Sequence, residues 1–408
     1  MANARKDNRG YALRTGESQR KDGRYCYTYC DRDHKRHSVY AKTLAELRAK
    51  TRKIIRDKED GLDPNLAERL TLNELYDKYL SQKYDLKETT KANYKYMYDH
   101  FVRQGFGRRK IAKIRYTDVK EFYYGLILNE EIKSNTLDNI HTQLHPAFQM
   151  AVRDNLLRIN PTAGVMAEIK KSHIWERPKR HALTVPQQKA FMDYLKEHRE
   201  YQGWIPLITV LLGTGMRIGE CLGLRWDDLD FENRTISVNH NLTNRPNADG
   251  NCVKRIGTPK TRAGERTIPM IDEVFEAFLM EYEIQSCLGF NSETIDGYTN
   301  FVFIGTNGSV HSDTGVNNAI HRITKAYNED EKAKAKKEHR EPVLLPSFSA
   351  HSLRHTFCTR VCENETNLKV IQSLMGHADI STTMDVYAEA TGEKKQEIMA
   401  NLQGKIIL

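Results

Sequence analysis

Residues 24–31 (Arg-Tyr-Cys-Tyr-Thr-Tyr-Cys-Asp) alternate with a period of two, which puts Tyr25, Tyr27 and Tyr29 on one face of a strand. Residues 35–42 read as its hairpin partner, with Asp31-Arg-Asp-His34 as the turn. Thr43-Leu-Ala-Glu46 is a capping box, and Leu44, Leu47, Thr51, Ile54 and Ile55 behind it share one helical stripe that ends near Gly61 and Pro64. The pattern predicts a small sheet packed on one helix. From residue 71 the period becomes helical: Leu72, Leu75 and Tyr79; Tyr94, Tyr98 and Phe101; Val119 and Phe122; Leu137, Ile140, Leu144 and Phe148. Four amphipathic helices make a bundle, which closes at Asn160-Pro161. Residues 166–180, ending in Lys170-Lys-Ser-His-Ile-Trp-Glu-Arg-Pro-Lys-Arg180, read as a basic, proline-broken linker. The remainder opens helically over 185–197 and 204–212, passes into strand-like Thr235-Ile-Ser-Val238 and Arg266-Thr-Ile-Pro269, and returns to helices after Val310. The predicted fold class is multidomain α+β. It comprises a small sheet plus helix (1–66), a helical bundle (71–165), a linker (166–180) and a mainly α domain with a small β-sheet (181–408).

Charge sharpens this division. The 408 residues hold 63 Lys and Arg against 54 Asp and Glu, a net +9. Residues 1–60 alone hold 17 basic and 9 acidic residues, so +8 of the excess sits on the first module and +1 on all the rest. Such an asymmetry points to a polyanionic partner for the N-terminal sheet. The longest apolar run, about 204–213, is far short of the roughly 18 residues of a spanning helix, so no bilayer crossing is expected. The first residues lack the apolar core of a secretory signal, and a cytoplasmic protein is expected. The seven cysteines are odd in number and scattered, which suits reduced thiols. The pairs Cys26/Cys30 and Cys358/Cys362 lack the second pair or the histidine spacing of a zinc site, so no metal or other cofactor is expected.

Candidate chemistry is confined to the last domain. In Thr214-Gly-Met-Arg217-Ile-Gly-Glu220 the glycines let the chain turn so that Arg217 projects from a helix start, and Glu220 one turn later can orient it, although a plain structural salt bridge reads equally well. Residues 258–268 look like a hairpin with Gly264 at the turn and Lys260 near the tip, where a lysine is ordinarily just solvated. His351-Ser-Leu-Arg354 sets two cationic groups three apart on one helical face, while Leu353, Phe357 and Val361 face inward. His355 makes an i, i+4 pair with His351, but no glutamate follows His351 as in a metalloprotease helix. Leu374-Met-Gly-His377 ends one helix, and Ser381-Thr-Thr-Met-Asp-Val-Tyr387 begins another whose tyrosine, taken alone, reads as core or surface.

The ordered set of Arg in Gly-x-Arg-x-x-Glu, hairpin Lys, His-x-x-Arg, Gly-His and Tyr resembles the tyrosine recombinase, or phage-type integrase, family, closest to integrases of Gram-positive conjugative transposons. The resemblance spans roughly 180–395, and the two front modules correspond to arm-type and core-type DNA-binding domains. It implies Tyr387 as nucleophile, Arg217 and Arg354 as phosphate clamps, and Lys260 as proton donor to the departing 5′ oxygen. It further implies His351 helping to accept the tyrosine proton, His377 donating to a nonbridging oxygen, and Glu220 orienting Arg217. The phenol suits the role, because with a pKa of about 10 it is an adequate leaving group and the attack can be reversed. Double-stranded DNA with arm-type and core-type sites, a homotetramer on DNA and an accessory bending or directionality protein are the implied partners. For DNA contact the basic and aromatic residues Arg24, Tyr27, Lys35, Arg36, Tyr40, Lys170, Lys171, Lys179 and Arg180 are the candidates. A type IB topoisomerase-like enzyme and a non-catalytic DNA-bridging protein are the competing readings. The apolar stripe of Ile398, Met399 and Leu402 in the tail is expected to dock on a neighbouring protomer.

Overall fold

The computed structural model describes residues 5–30, 34–86, 88–175, 182–246, 251–259, 262–290 and 293–393. The chain divides into two compact units, Met1–Pro178 and Lys179–Leu408.

The first unit begins with an antiparallel sheet, β1 (Glu17–Gln19), β2 (Tyr25–Cys30) and β3 (Arg36–Ala41), in that order. Its register pairs Tyr25 with Ala41, Tyr27 with Val39 and Tyr29 with His37 on one face, and Cys26 with Tyr40, Thr28 with Ser38 and Cys30 with Arg36 on the other. The first face meets α1 (Leu44–Glu59), whose Leu47 is fully buried against Tyr25 and Ala41. Strand β1 has too few apolar positions to be visible in the pattern; it is held by Glu17, whose buried carboxylate accepts from Arg48 of α1 at 2.9 Å. The 31–34 turn lies largely outside the described residues.

The bundle consists of α2 (Pro64–Arg69), α3 (Leu72–Ser81), α4 (Glu88–Phe101), α5 (Tyr116–Asn129), α6 (Ser134–Arg153) and α7 (Val165–Ile169). Thr71 and Glu74 cap α3 reciprocally, and Leu72, Leu75 and Tyr76 behind them are fully buried. Tyr76 stacks on Tyr98 of α4 at 3.6 Å and donates to Gln143 of α6 at 2.7 Å, so the two aromatic rings fill the core and the one hydroxyl is satisfied. The linker expected from residue 166 starts later. Met166 and Ile169 complete the bundle core, because a five-residue helix with two apolar residues three apart gains more by burial than by spanning open solvent. The end of α1 is fastened to the bundle by Arg158, which donates to the buried Asp57 at 2.7 Å and pairs with Asp60 at 2.6 Å.

In the second unit α8 (Val185–Glu197) and α9 (Ile205–Thr214) follow the sequence pattern, and α9 is apolar nearly all round because it runs through the main core. After α10 (Ile218–Leu222) come β4 (Leu229–Asp230) and β5 (Thr235–Val238), then the ribbon of β6 (Asn241–Pro246) and β7 (Cys252–Gly257), then β8 (Arg266–Pro269). The hairpin expected over 258–268 does not form as such. β7 pairs with β6, whereas β8 pairs with β5 so that Ile268 meets Ile236 in the core. The buried Pro259, which has no N–H to give a ladder, stands in the connection between them. The helices α11 (Asp272–Leu288), α12 (Asp313–Glu338), α13 (Ala350–Asn364), α14 (Leu368–Met375) and α15 (Ile380–Glu393) complete the unit. Among the described residues no helix is long and apolar enough to cross a membrane.

Replacing Arg158 by Met strands the Asp57 carboxylate at a buried site, a loss of about 1–3 kcal/mol. Urea unfolding of the 1–178 fragment should show it as a lowered midpoint; an unchanged midpoint would mean that the joint is held by packing alone.

Candidate active site

The site grows out of two helix ends. Helix α9 stops at Gly215 in the left-handed region, φ +61°, where a Cβ would come within 2.3 Å of the Phe357 ring. That turn sets Arg217 at the start of α10, where its backbone N–H donates to Glu220 at 3.0 Å and its guanidinium donates to the same carboxylate at 2.6 Å. Helix α14 stops at Gly376, φ +62°, where a Cβ would lie 2.9 Å from the Ala263 carbonyl and from Arg266.

A helix end leaves its last carbonyls without partners and carries partial negative charge. Here three successive carbonyls each take a different arginine. Leu374 accepts from Arg266 Nε at 2.9 Å, Met375 from Arg354 at 2.6 Å, and Gly376 from Arg217 at 3.0 Å. Arg354, on α13, also donates to the Gly215 carbonyl at 2.7 Å, tying the two helix ends together. Arg266 also donates to Glu220, at 3.0 Å, and to the Gly264 carbonyl, at 2.9 Å.

Three guanidiniums thus face one carboxylate. Burial works against the charge on Glu220, but Arg266 and Arg217 outweigh it and hold its pKa below the ordinary carboxylate value. Arg354 is 3% exposed. Burial first, and the neighbouring Arg217, push its pKa down to about 9, so it remains charged at neutral pH, with no carboxylate in direct contact among the described residues. Burial likewise lowers His377 to about 4, assisted by Arg354, Arg217, Arg266 and His351, and leaves its imidazole neutral. The His377 backbone is clamped by Gln372, whose carbonyl accepts its N–H at 3.1 Å and whose amide donates to its carbonyl at 3.0 Å. The imidazole Nδ1 lies 2.9 Å from Thr383 Oγ1 on α15. His351 stands exposed on the first turn of α13. Tyr387 is half-buried on α15, against a small cluster that includes Phe357, Cys358, Cys362, Ile371 and Met375. The fold therefore gathers Arg217, Glu220, Arg354 and His377, with His351 within electrostatic reach and Tyr387 on the helix that contacts His377. Lys260 lies outside the described residues, in the short connection between Pro259 and Arg266.

Arg266 was not among the sequence candidates, since a basic residue at a strand start looks solvent-facing. The period of two carried a signal: Arg266 shares a face with the buried Ile268, and its side chain is only 6% exposed.

The candidate DNA-contacting residues separate by face. Tyr40 and Arg36 lie exposed on the outer face of the N-terminal sheet, with the Arg20 guanidinium 5.3 Å from the Tyr40 ring. Lys35 is exposed beside them, and Arg24, also exposed, pairs with Asp22 at 2.7 Å. Tyr27 lies on the opposite face, half-buried toward α1, because its ring fills the space beside Gly16. Lys171 is exposed, and Lys170 pairs with Asp138 at 2.9 Å near the Trp175 ring. Lys179, Arg180 and the tail residues Ile398, Met399 and Leu402 lie outside the described residues. Among the described residues no cluster of His, Cys, Asp or Glu is arranged to hold a metal ion.

Residues 181–394 match the model of the phage integrase family. The chain belongs to that family. It is thus a tyrosine recombinase, an enzyme that transfers DNA strands. Residues 1–66 match the DNA-binding domain of Tn916 integrase, and 71–127 match the N-terminal SAM-like domain of phage integrases. The transposase from transposon Tn916 of Enterococcus faecalis is 32% identical over 98% of this chain and 97% of its own. A structure of the Tn1549 transposon integrase in complex with transposon right end DNA is similar with a TM-score of 0.71 and 30% identity, over 82% of this chain and all of that one. A lambda integrase tetramer bound to a Holliday junction shares the fold, with a TM-score of 0.51 at 17% identity over 92% of this chain and 95% of that one.

Two outcomes test this geometry. Arg266→Met removes a bond to the α14 end and one to Glu220, so it should slow single-turnover DNA cleavage by about 10²-fold, the scale of a misplaced catalytic group, while gel-shift binding persists. Cleavage at the wild-type rate would show that the cradle holds without it. The His377 ring resonances of the free protein should stay nearly unshifted from pH 8 to pH 5, since proton uptake is half complete only near 4. The unfolded chain takes up that proton near 6.5, so the folded state loses stability as pH falls from about 6.5 to about 4, a slope that His377→Gln should reduce.

Proposed function

We propose that the chain is the integrase of a conjugative transposon, cutting and rejoining DNA through a 3′-phosphotyrosine intermediate and a Holliday junction. The observation that carries the residue assignment is the buried, carboxylate-free guanidinium of Arg354 beside Arg217. A buried excess of positive charge is costly unless an anion completes it, and a phosphodiester with two nonbridging oxygens fits two bidentate donors.

In the first step the Tyr387 phenol oxygen attacks the scissile phosphorus. A P–O bond to tyrosine forms, the bond to the 5′ oxygen breaks, the phenolic proton passes to a base assisted by His351, and Lys260 protonates the departing oxygen. Arg217, Arg354 and His377 donate to the nonbridging oxygens as negative charge develops. Attack by the 5′ hydroxyl of the exchanged strand reverses the step, and because the phosphotyrosyl bond conserves the energy of the original diester, no external energy source is required. Glu220 acts through Arg217, and the Lys260 connection is tied to the cradle through Arg266.

On this reading residues 1–66 recognise arm-type sites, with the outer sheet face of Arg36 and Tyr40 toward DNA, a sheet of the size that can enter a major groove. Residues 71–165 recognise core-type sites and residues 181–408 cut and rejoin them, and four copies assemble on DNA with an accessory bending or directionality protein. The work is done in the bacterial cytoplasm, on the nucleoid. The structures of the Tn1549 integrase with transposon right end DNA and with circular intermediate DNA support the choice of substrate.

Tyr387→Phe should abolish the covalent adduct on nicked attachment-site DNA and leave binding nearly unchanged. Arg354→Ala should slow adduct formation by at least about 10²-fold. An adduct formed by the Phe variant would remove Tyr387 from the nucleophile's role. Relaxation of supercoiled DNA without recombination of paired sites would favour a topoisomerase, and wild-type protein that binds without any adduct would favour a bridging protein.

A further inference from the structure

Thr383 sits one helical turn before Tyr387 on α15 and is fully buried. Its hydroxyl lies 2.9 Å from Nδ1 of His377, and among the described residues this is the one hydrogen bond its side chain makes. Two protonation patterns fit that distance. In one, His377 Nδ1–H donates to Thr383, which leaves the buried hydroxyl hydrogen with no acceptor among the described residues. In the other, Thr383 donates to Nδ1 and the hydroxyl is satisfied. A buried donor left unpaired is costly, so the second pattern is favoured. A neutral imidazole carries one N–H, and with Nδ1 accepting, that hydrogen must be on Nε2.

The consequence reaches the phosphate. With Nε2–H, His377 presents a donor to a nonbridging oxygen; with the other tautomer it would present a lone pair to an anion. Thr383 and Tyr387 are four residues apart and so lie on the same face of α15, which means the bond to His377 exists only while that stretch of helix is seated. Resting on the recombinase reading above, we propose that Thr383 is a positioning residue: its hydroxyl sets His377 as the Nε2–H tautomer and ties that choice to the seating of the helix that carries Tyr387.

The test uses the full chain, nicked attachment-site DNA and ¹⁵N-histidine labelling. In the wild-type protein the His377 resonances should show a protonated Nε2 and an unprotonated Nδ1. Thr383→Val, nearly isosteric, should give a mixture of tautomers and slow single-turnover cleavage about tenfold or more, short of the 10²–10³-fold typical of deleting a donor outright. DNA binding should be unaffected, and Thr383→Ser should restore both tautomer and rate. A protonated Nδ1 in the wild type overturns the proposal with no variant needed. So does a Val variant with an unchanged tautomer, whatever its rate, or a Ser variant as slow as Val. Failure of the wild type to form any adduct would instead remove the functional reading, and the tautomer measurement keeps the two failures apart.

Discussion

Three consecutive carbonyls at the end of α14 organise the catalytic unit. A helix terminus normally gives such groups to water or to a glycine cap; here Leu374, Met375 and Gly376 give theirs to Arg266, Arg354 and Arg217, residues that come from three other elements. Each bond is modest by itself. Together they fix three guanidiniums relative to one rigid backbone turn, and the partial negative charge of the helix end offsets part of their mutual repulsion. Among the described residues Glu220 supplies the one carboxylate in direct contact with the cluster, bridging Arg217 and Arg266 while Arg354 donates to backbone oxygens. The remaining positive excess is the physical reason why the site is addressed to an anion. The hydrogen bonds to the α14 end hold the guanidiniums in place before any anion arrives.

Keeping such a cluster in place demands that the backbone approach closely from both sides. Gly215 and Gly376 do this at left-handed turns where a side chain would meet the Phe357 ring in one case and the Ala263 carbonyl in the other. The second contact brings Ala263 against the α14 end, and Arg266 fastens that stretch there by donating to the Gly264 carbonyl. The segment around Ala263 and Arg266 and the α14 end are therefore built on one scaffold, although 108 residues of sequence separate Arg266 from Leu374.

The elements were legible where burial imposes a clean period. The α8, α9, β5 and β8 segments and the bundle helices follow from apolar spacing, since each has one face in a core. Two local spacings were legible too, because Arg217 with Glu220 and His351 with Arg354 lie within one helical turn. What was lost depended on tertiary partners. The exchange of strand pairing around Pro259 turns on which core Ile268 joins, and Met166 and Ile169 leave the linker only because the bundle has room for them. Arg266 escaped notice for the same reason: its role is written in three contacts from distant parts of the chain, and only its register with Ile268 hints that it faces inward. Tyr27 was placed with Tyr40 by chemistry, whereas the pleat sends them to opposite faces.

Tyr387 is set apart from the large core. Tyr387 does not pack into the large core of the catalytic unit but into a satellite cluster of Cys358, Cys362, Ile371 and Met375 on α13 and α14. The arginine cradle spans both clusters: Arg354 and Arg266 tie it to α9 and β8 of the large core, while the carbonyls they share lie on α14, whose Ile371 and Met375 belong to the small one. Local opening costs what the local contacts are worth, and a helix held by a small cluster can part at less cost than the domain unfolds. Tyr387 and the α14 end on which the arginines meet thus share that small cluster, while Arg266 also reaches the large core through β8.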